Sequence, residues 1–253
     1  MVFTDICPST WRELQDYVAL FLNQAGYTAT SPRTIDTARG KVEVDVFVES
    51  PDELVKKIIC ECKYWNTPVP KEKVHAFRAV VQDSGASIGL LISKVGFQSG
   101  TIEAANYSNV QLVTWQQFTD IISNRWIVAR LKEIKRKSAP LSVYTDPLDF
   151  PHEKIRAQDV SRYDLACKKY IALRATCWMI SKTDLVSDNF TVGGDGSFYQ
   201  IEDYSSITSY LNFLLQAVDT AILEFNSILQ SSNIVVPAHK LENPEGYLYR
   251  YLS

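Results

Sequence analysis

The chain has 253 residues, of which 46% are hydrophobic and 22% charged, and its net charge is −3. This length and composition indicate a globular protein of one large or two modest domains, and no apolar run approaches the roughly 18 residues of a membrane span. The charge is uneven, because residues 1–137 sum to +2 and residues 138–253 to −5. This balance argues against a protein that coats nucleic acid by electrostatics alone, and it favours the first half as the surface that nucleic acid approaches.

The five cysteines and the N-terminal residues both favour a cytoplasmic protein. Five is an odd number, and several of the cysteines lie inside apolar patterns, as is usual in a reducing compartment. Met1 to Cys7 lack the charged and then apolar layout of a signal peptide. Cys60-x-Cys62 is a close pair, but the histidines are scattered, so two buried strand cysteines are favoured over a zinc site.

The chain begins with an amphipathic helix. Ser9 or Thr10 can cap its start and Gly26 can end it. Between them, apolar residues recur at helical spacing at Trp11, Leu14, Val18, Phe21 and Leu22. Tyr27 to Ile35 then predicts a short strand and a turn interrupted by Pro32.

Two alternating segments, Val42 to Glu49 and Lys57 to Trp65, predict a β-hairpin with its turn at Pro51-Asp52. Antiparallel pairing that joins their apolar faces sets Val44 opposite Cys62, Val46 opposite Cys60 and Val48 opposite Ile58. The same register sets Asp45 opposite Glu61, with Lys63 two residues further along that face. A slip of one residue would separate the apolar faces, so the pattern itself favours this register.

The remaining pattern predicts an α/β domain over residues 1–137, with a mixed central sheet flanked by helices. Its later elements are helices at Lys71 to Ser84, Thr101 to Tyr107 and Trp115 to about Lys137, and strands at Ser87 to Ser93 and Val110 to Trp115. Residues 138–152, with three prolines, have linker composition. Residues 153–253 predict a mostly helical domain, with helices at Val160 to Ile180 and Tyr204 to Leu229 and a polar stretch containing Gly193-Gly194-Asp195-Gly196 between them.

Asp45, Glu61 and Lys63 are the residue types that metal-assisted phosphodiester hydrolysis requires. A divalent cation neutralises charge on the phosphate and makes a water nucleophilic near neutral pH. One or two carboxylates plus the substrate phosphate suffice to hold magnesium, and a lysine can position the water and offset phosphate charge. Phe47, Ile59 and Trp65 share the predicted face, so an ordinary solvated strand surface is the less favoured explanation.

This arrangement resembles the PD-(D/E)xK nuclease superfamily, and within it the Mrr-like restriction endonuclease domain. The supporting stretches are WRELQDYVALFLNQAGY (11–27), KVEVDVFVES (41–50), IICECKYW (58–65) and GLLISKVGFQSGTIEAA (89–105). The resemblance implies a restriction-endonuclease-like fold that cuts DNA with Mg²⁺, for which Mn²⁺ can substitute. It further implies Asp45 and Glu61 as metal ligands together with the backbone carbonyl of Cys62, and Lys63 as the catalytic lysine.

The chain departs from this family's pattern at two positions. Val44 stands where the superfamily name has proline, and Gln15 stands where many relatives carry a glutamate on the first helix. Glu13 is nearby but about 200° around the helix, so the number of metal ions stays open. Asp52 is an alternative ligand, since Pro51-Asp52 also spells the motif, but turn chemistry is its more ordinary role.

Candidate substrate contacts lie beside the predicted site. Gln98 and Ser99 open a helix whose N–H groups could meet a phosphate, although a plain cap is an equal alternative. Lys71 and Lys73 could reach the DNA backbone or simply be solvated, and Gln15 is a further candidate contact. The basic run RLKEIKRK near the end of the long helix could bind phosphates, but solvated helix ends are more common.

The sequence therefore predicts a Mg²⁺-dependent DNA endonuclease of restriction or antiviral defence that does not contact a membrane. Residues 153–253 are expected to serve assembly or regulation, as a homodimer contact or as the binding site of a partner protein. Two alternatives stay open: a catalytically inactive nucleic-acid-binding or scaffold protein that retains the fold, and a junction- or RNA-directed nuclease.

Overall fold

The computed structural model describes residues 1–146, 150–187, 191–192, 196–237 and 241. The chain divides into two compact units, which we name the sheet unit (residues 6–129) and the helical unit (residues 1–5 and 130–253). Among the described residues, no helix combines the length and the apolar character needed to cross a membrane.

The sheet unit is built on a five-stranded mixed sheet with the order β1-β4-β5-β6-β7. Strands β1, β4 and β5 are antiparallel, and β5, β6 and β7 are parallel. The elements in chain order are α1 (Trp11–Gln24), β1 (Thr28–Thr30), β2 (Arg33–Thr37), β3 (Gly40–Val44), β4 (Val46–Glu49), β5 (Lys57–Lys63), α2 (Lys71–Asp83), β6 (Ile88–Ser93), α3 (Ser99–Ala105), β7 (Val110–Thr114) and α4 (Trp115–Tyr144). The predicted α/β class, with helices flanking a mixed sheet, is confirmed.

The predicted hairpin is confirmed at its turn end and corrected at its open end. Val46 pairs with Cys60 and Val48 with Ile58, as the apolar alternation predicts. Val44 does not pair with Cys62, because the predicted single strand is broken at Asp45 into β3 and β4. β3 leaves the main sheet and pairs with β2, where Val44 faces Arg33. The break places Asp45 at the point where the chain passes from one sheet to the other.

Both faces of the central strands are buried. On one face, Ile59 and Leu91 pack in a cluster with Val74, Phe77 and Val81 of α2. On the other face, the alternate residues Val46, Val48, Cys60 and Cys62 are at most 1% exposed. Helix α1 contacts β4 and β5. A polar side chain near the carboxyl end of β5 is therefore surrounded by packed side chains.

Helix α1 forms for the reasons that its sequence indicates. Thr10 caps it by accepting a hydrogen bond from the backbone N–H of Glu13, and the Glu13 carboxylate accepts one in return from the N–H of Ser9. Its buried stripe contains Leu14, Val18, Phe21 and Leu22. Gln15 belongs to the same buried stripe and is 1% exposed.

Helix α4 is longer than predicted, and this corrects the start of the expected linker. Residues 138–144 are helical, and the boundary between the two units falls after Ala129 instead of after Lys137. Pro140 lies inside the helix, where proline normally costs about 3 kcal/mol. Ile134, Leu141 and Tyr144 are buried on that segment, so packing outweighs the lost backbone bond.

The helical unit contains two long helices close to the predicted positions. Its remaining elements are α5 (Ala157–Met179), α6 (Lys182–Ser187), β8 (Thr191–Val192), β9 (Gly196–Ser197) and α7 (Ile207–Ser231), with 3₁₀ turns at His152–Lys154 and Ile201–Asp203. The first residues of the chain reach α7, where Val2 and Phe3 carbonyls accept from the N–H groups of Ile207 and Thr208. Gly193, Gly194 and Asp195 of the polar stretch lie outside the described residues.

Candidate active site

Asp45 is held at the break between β3 and β4 by two hydrogen bonds. Its Oδ2 accepts from the backbone N–H of Cys62 at 2.7 Å, and its Oδ1 accepts from the Nε2 of Gln15 at 2.5 Å. The first bond comes from β5 and the second from α1. Because each carboxylate oxygen has about two acceptor positions, both retain capacity for a further ligand.

Glu61 and Lys63 lie beside Asp45 at the carboxyl end of β5. The two residues are two positions apart on the strand, so their side chains lie on the same face. Lys63 Nζ donates to Glu61 Oε1 in an ion pair. The pair is mostly shielded from solvent, since 18% of the lysine side chain and 25% of the glutamate side chain are exposed. β5 thus presents a carboxylate and an ammonium side by side near a second carboxylate.

The electrostatics of Glu61 reflect this crowding. Burial raises the pKa of Glu61 above its ordinary value, and the Asp45 carboxylate raises it further. Lys63 and then Lys73 act in the opposite direction and lower it. A bound cation would relieve the repulsion that the Asp45 carboxylate exerts on Glu61 in this partly buried site.

Among the substrate candidates, the structure brings Gln15 and Lys73 to the site and leaves Lys71, Gln98 and Ser99 unconnected to it by any described contact. Lys63 Nζ and Lys73 Nζ lie 5.6 Å and 6.0 Å from the ring centroid of Trp65. Lys71 is exposed at the start of α2. Gln98 is the exposed cap residue of α3, where its backbone N–H donates to Val69, and the exposed Ser99 follows it.

The alternative ligands are occupied elsewhere. Asp52 lies in an exposed turn, where its carboxylate accepts from the N–H of Leu54 at 2.9 Å. Glu13 caps the start of α1. Cys60 and Cys62 are buried, and burial raises the pKa of both thiols well above the ordinary value, which disfavours thiolate ligation. Within the described residues, no group of three or more His, Cys, Asp or Glu side chains could hold a metal ion.

The donor set nevertheless suits a magnesium ion bound with several of its own waters. Mg²⁺ prefers oxygen ligands and is commonly held by one or two carboxylates plus substrate phosphate. Asp45 and Glu61 supply such oxygens. A further oxygen, Gln15 Oε1, is buried without a hydrogen-bond partner next to Asp45. A buried acceptor left unsatisfied beside the Asp45 carboxylate fits a site completed by a cation or by the water that it carries.

Sequence reasoning identified Gln15 only through the resemblance, and it missed the contact with Asp45. The helical spacing contains the necessary signal, because Gln15 lies three residues before Val18 and seven before Leu22 on the buried stripe. A polar side chain on that stripe must find a partner inside the fold. The partner is the carboxylate of Asp45, thirty positions further along the chain, and the spacing of residues on a helix cannot reveal such a distant contact.

Comparison with known proteins identifies a family for the N-terminal region. Residues 8–122 match the Mrr-type family model that is described as restriction endonuclease. No curated protein gives a significant match. The crystal structure of AF1548, a protein of unknown function, aligns with a TM-score of 0.39 and 16% identity, covering 67% of this chain and 97% of that one. The family match alone assigns residues 8–122 to the nuclease domains of the restriction-endonuclease, PD-(D/E)xK type.

Proposed function

We propose that the protein is a Mg²⁺-dependent DNA endonuclease, with Mn²⁺ able to substitute, in which Asp45 and Glu61 hold the metal and Lys63 is the catalytic lysine. The backbone carbonyl of Cys62 completes the protein's share of the metal ligands. The observation that carries the proposal is the joint placement of these three side chains. The Asp45 carboxylate is fixed against β5 at Cys62, and the Glu61–Lys63 ion pair lies on the same strand end.

The chemistry divides between the cation and the side chains. When bound, the cation supplies charge neutralisation at the scissile phosphate and a water of lowered pKa. Asp45 is oriented before substrate arrives, because α1 and β5 each donate a hydrogen bond to it. Lys63 has three donors, so it can hold Glu61 and also position the attacking water or the phosphate. Lys73 adds positive charge on the side from which we propose that DNA approaches.

The substrate and setting belong to the same proposal. We infer DNA as the substrate, in restriction or antiviral defence, from the family of residues 8–122. All five cysteines are unpaired, which suits the cytoplasm. The division of labour that we propose assigns cutting to the N-terminal domain and assembly, as a homodimer or with a partner protein, to residues 153–253.

The direct test is plasmid cleavage with Mg²⁺ or Mn²⁺ by the full chain and by Asp45→Ala and Lys63→Ala. We expect each substitution to lower the cleavage rate by about 100-fold or more, because each removes a group that stabilises charge in the reacting complex. Folding of every variant is checked by circular dichroism, and activity of the native chain is compared with and without EDTA.

Matched controls separate the site from general effects of charge. Asp52→Ala removes the carboxylate of the competing Pro-Asp dipeptide in the exposed turn, and Lys56→Ala removes an exposed lysine before β5. Both should cut plasmid like the native chain. Equal cutting by Asp45→Ala and the native chain would sink the assignment. If Asp52→Ala loses cleavage activity instead, the metal ligand lies in the turn and not at Asp45. If the native chain cuts only branched DNA or only RNA, the substrate is that nucleic acid and not duplex DNA.

A further inference from the structure

Helix α5 has two apolar faces, and only one of them is covered. One face packs on α7 and buries Tyr163, Tyr170 and Leu173. A helix that is apolar on both sides is normally covered on both sides. The opposite face carries four large hydrophobic side chains that are between 46% and 67% exposed: Leu165, Ile171, Trp178 and Met179. We name these four residues, together with the exposed Ala172 among them, the outer face of α5.

The outer face is as large as the largest apolar patch on a typical monomer, and such patches are often functional. Its four large side chains leave roughly 400 Å² of mostly apolar surface in contact with water. A stable dimer interface buries about 800 Å² per partner, with an apolar centre and a polar rim. The outer face therefore has the size of the apolar centre of such an interface.

The spacing of residues on the outer face suits a second copy of the same helix. Leu165 lies seven residues before Ala172, and Met179 lies seven residues after it. When two copies of α5 cross antiparallel about an axis at Ala172, the two alanines meet and each Leu165 opposes the Met179 of the other copy. Small residues at the axis let the backbones approach, and large apolar residues close the contact on either side. The face is therefore complementary to itself under a twofold rotation.

The charges around the outer face also favour a second copy. Asp164 and Lys168 are the charged residues of α5 that lie within this sector of the helix, and they are opposite in sign and about one turn apart. The sector therefore has no net charge, although residues 138–253 together carry −5. Identical surfaces with a net charge repel each other, so neutrality within an acidic region removes an electrostatic obstacle to self-association.

We propose that the outer face of α5 is a homodimer interface, in which two copies of the helix pack antiparallel about Ala172. The inference rests on the part of the proposed function that assigns assembly to residues 153–253, and it commits that assembly to a second copy of this chain. A twofold dimer joins two nuclease domains in one particle, one for each of the two antiparallel strands of a duplex.

Sedimentation of the metal-free full chain over about 1 to 100 µM tests the interface directly. The native chain should be a dimer in this range. Ile171→Glu puts a carboxylate into the apolar contact and should raise the dissociation constant of the dimer at least about 100-fold. Ile121→Glu is the matched control, because Ile121 and Ile171 are helical isoleucines that are each 57% exposed, and it should leave that constant unchanged. Circular dichroism checks that both variants fold.

A pair of charged variants tests the antiparallel arrangement. Leu165→Glu and Met179→Lys should each be monomeric in the same range, because each would leave a charge against an apolar side chain. Mixed in equal amounts, they should form a heterodimer. The introduced carboxylate then meets the introduced ammonium at one end of the contact, and Leu165 meets Met179 at the other. Mixing would not restore a dimer if the substitutions acted by weakening the fold of each chain.

The outcomes separate this inference from the proposed nuclease activity, because sedimentation requires neither metal nor DNA. A native chain that stays monomeric would leave the outer face to a different protein and overturn the inference. A dimer that Ile171→Glu leaves intact would also overturn it, and mixed variants that stay monomeric would overturn the antiparallel pairing. A dimer that behaves as expected but cuts no plasmid would support this inference and contradict the nuclease proposal.

Discussion

Asp45 Oδ2 accepts a hydrogen bond from the backbone N–H of Cys62 at 2.7 Å, where the ladder between β4 and β5 would otherwise continue. Hydrogen-bonded pairs recur at every second residue of an antiparallel ladder, and the Ser50 N–H donates to the Lys56 carbonyl. By that count Val44 and Cys62 would form the next such pair beyond Val46 and Cys60. A side-chain carboxylate replaces the missing backbone acceptor, so the proposed metal ligand also terminates the strand pairing.

The first prediction follows from this double role. Asp45→Ala leaves the Cys62 N–H without its acceptor and should lower the free energy of unfolding of the metal-free protein by about 1–3 kcal/mol. Asp45→Asn retains an oxygen for Cys62, and its amide can donate to Gln15 Oε1 once the Gln15 amide rotates. We expect Asp45→Asn to cost less than about 1 kcal/mol while still losing metal binding.

Urea unfolding of the metal-free proteins measures both values. Asp52→Ala is the control, because it removes an exposed turn carboxylate and should change the free energy of unfolding by at most about 0.5 kcal/mol. Equal destabilisation by Asp45→Ala and Asp45→Asn would show that the bond to Cys62 contributes nothing to stability.

The parts of the fold that could be predicted from sequence are those that local periodicity determines. Alternation of valines and cysteines favours Val46 opposite Cys60, because a slip of one residue would separate the apolar faces of the two strands. The helical stripe of α1 and the apolar strand β6 are similarly direct consequences of burial. The proximity of Asp45 and Glu61 follows from that register, even though the strand containing Asp45 is broken.

The parts that could not be predicted depend on partners far along the chain. Apolar and polar residues alternate without interruption from Val42 to Glu49, so no local feature of the sequence marks the break at Asp45. The strand breaks there because β3 pairs with β2 instead of continuing along β5. Pro140 suggested a linker, but buried side chains at Leu141 and Tyr144 keep α4 helical. The local sequence pattern shows which secondary structures a segment can adopt, and tertiary packing determines which of them it adopts.

A second prediction concerns Gly89, which lies in β6 beneath helix α2. A Cβ at Gly89 would lie 2.5 Å from Val81 Cγ2 and 2.9 Å from Phe77 Cε1, and both side chains are buried in the core. Gly89→Ala should therefore overpack this contact and lower the free energy of unfolding by about 1–3 kcal/mol, measured by urea denaturation.

Gly100 in α3 provides the matched glycine control. A Cβ there meets nothing within 4 Å, and alanine is the better helix former. Gly100→Ala should raise the free energy of unfolding by about 0.4–1 kcal/mol. If both alanine variants stabilise the protein equally, α2 does not approach β6 as closely as the structure has it.

A third prediction concerns the reactivity of the cysteines in the native protein. Cys7 is exposed, whereas Cys60, Cys62 and Cys177 are buried. Burial raises the pKa of Cys177 to about 12, so its reactive thiolate is scarce near neutral pH. A thiol reagent should label Cys7 fastest, the half-buried Cys167 more slowly and these three thiols only after unfolding, and Cys7→Ser should remove the fastest phase. Rapid labelling of Cys62 would contradict the burial of its side chain.

The last prediction is a pH dependence in the helical unit. The Glu224 carboxylate accepts hydrogen bonds from Tyr170 Oη at 2.7 Å and Lys169 Nζ at 2.9 Å, and these bonds lower the pKa of Glu224 below its ordinary 4.5. A carboxyl group with a lowered folded-state pKa stabilises the fold above its unfolded-state pKa. That stabilisation is lost as the pH falls through the folded-state pKa.

Glu224→Gln removes this ionisation, so the native chain should be the more stable protein near neutral pH and should lose that advantage in acid. The Lys169 side chain is 53% exposed, so solvent screening limits the advantage to about 1 kcal/mol. Urea unfolding of both proteins across a pH series measures it, with the exposed Glu153→Gln as a control whose difference from the native chain should change little. A difference for Glu224→Gln that stays constant from neutral pH into acid would mean that Tyr170 and Lys169 do not favour the ionised carboxylate.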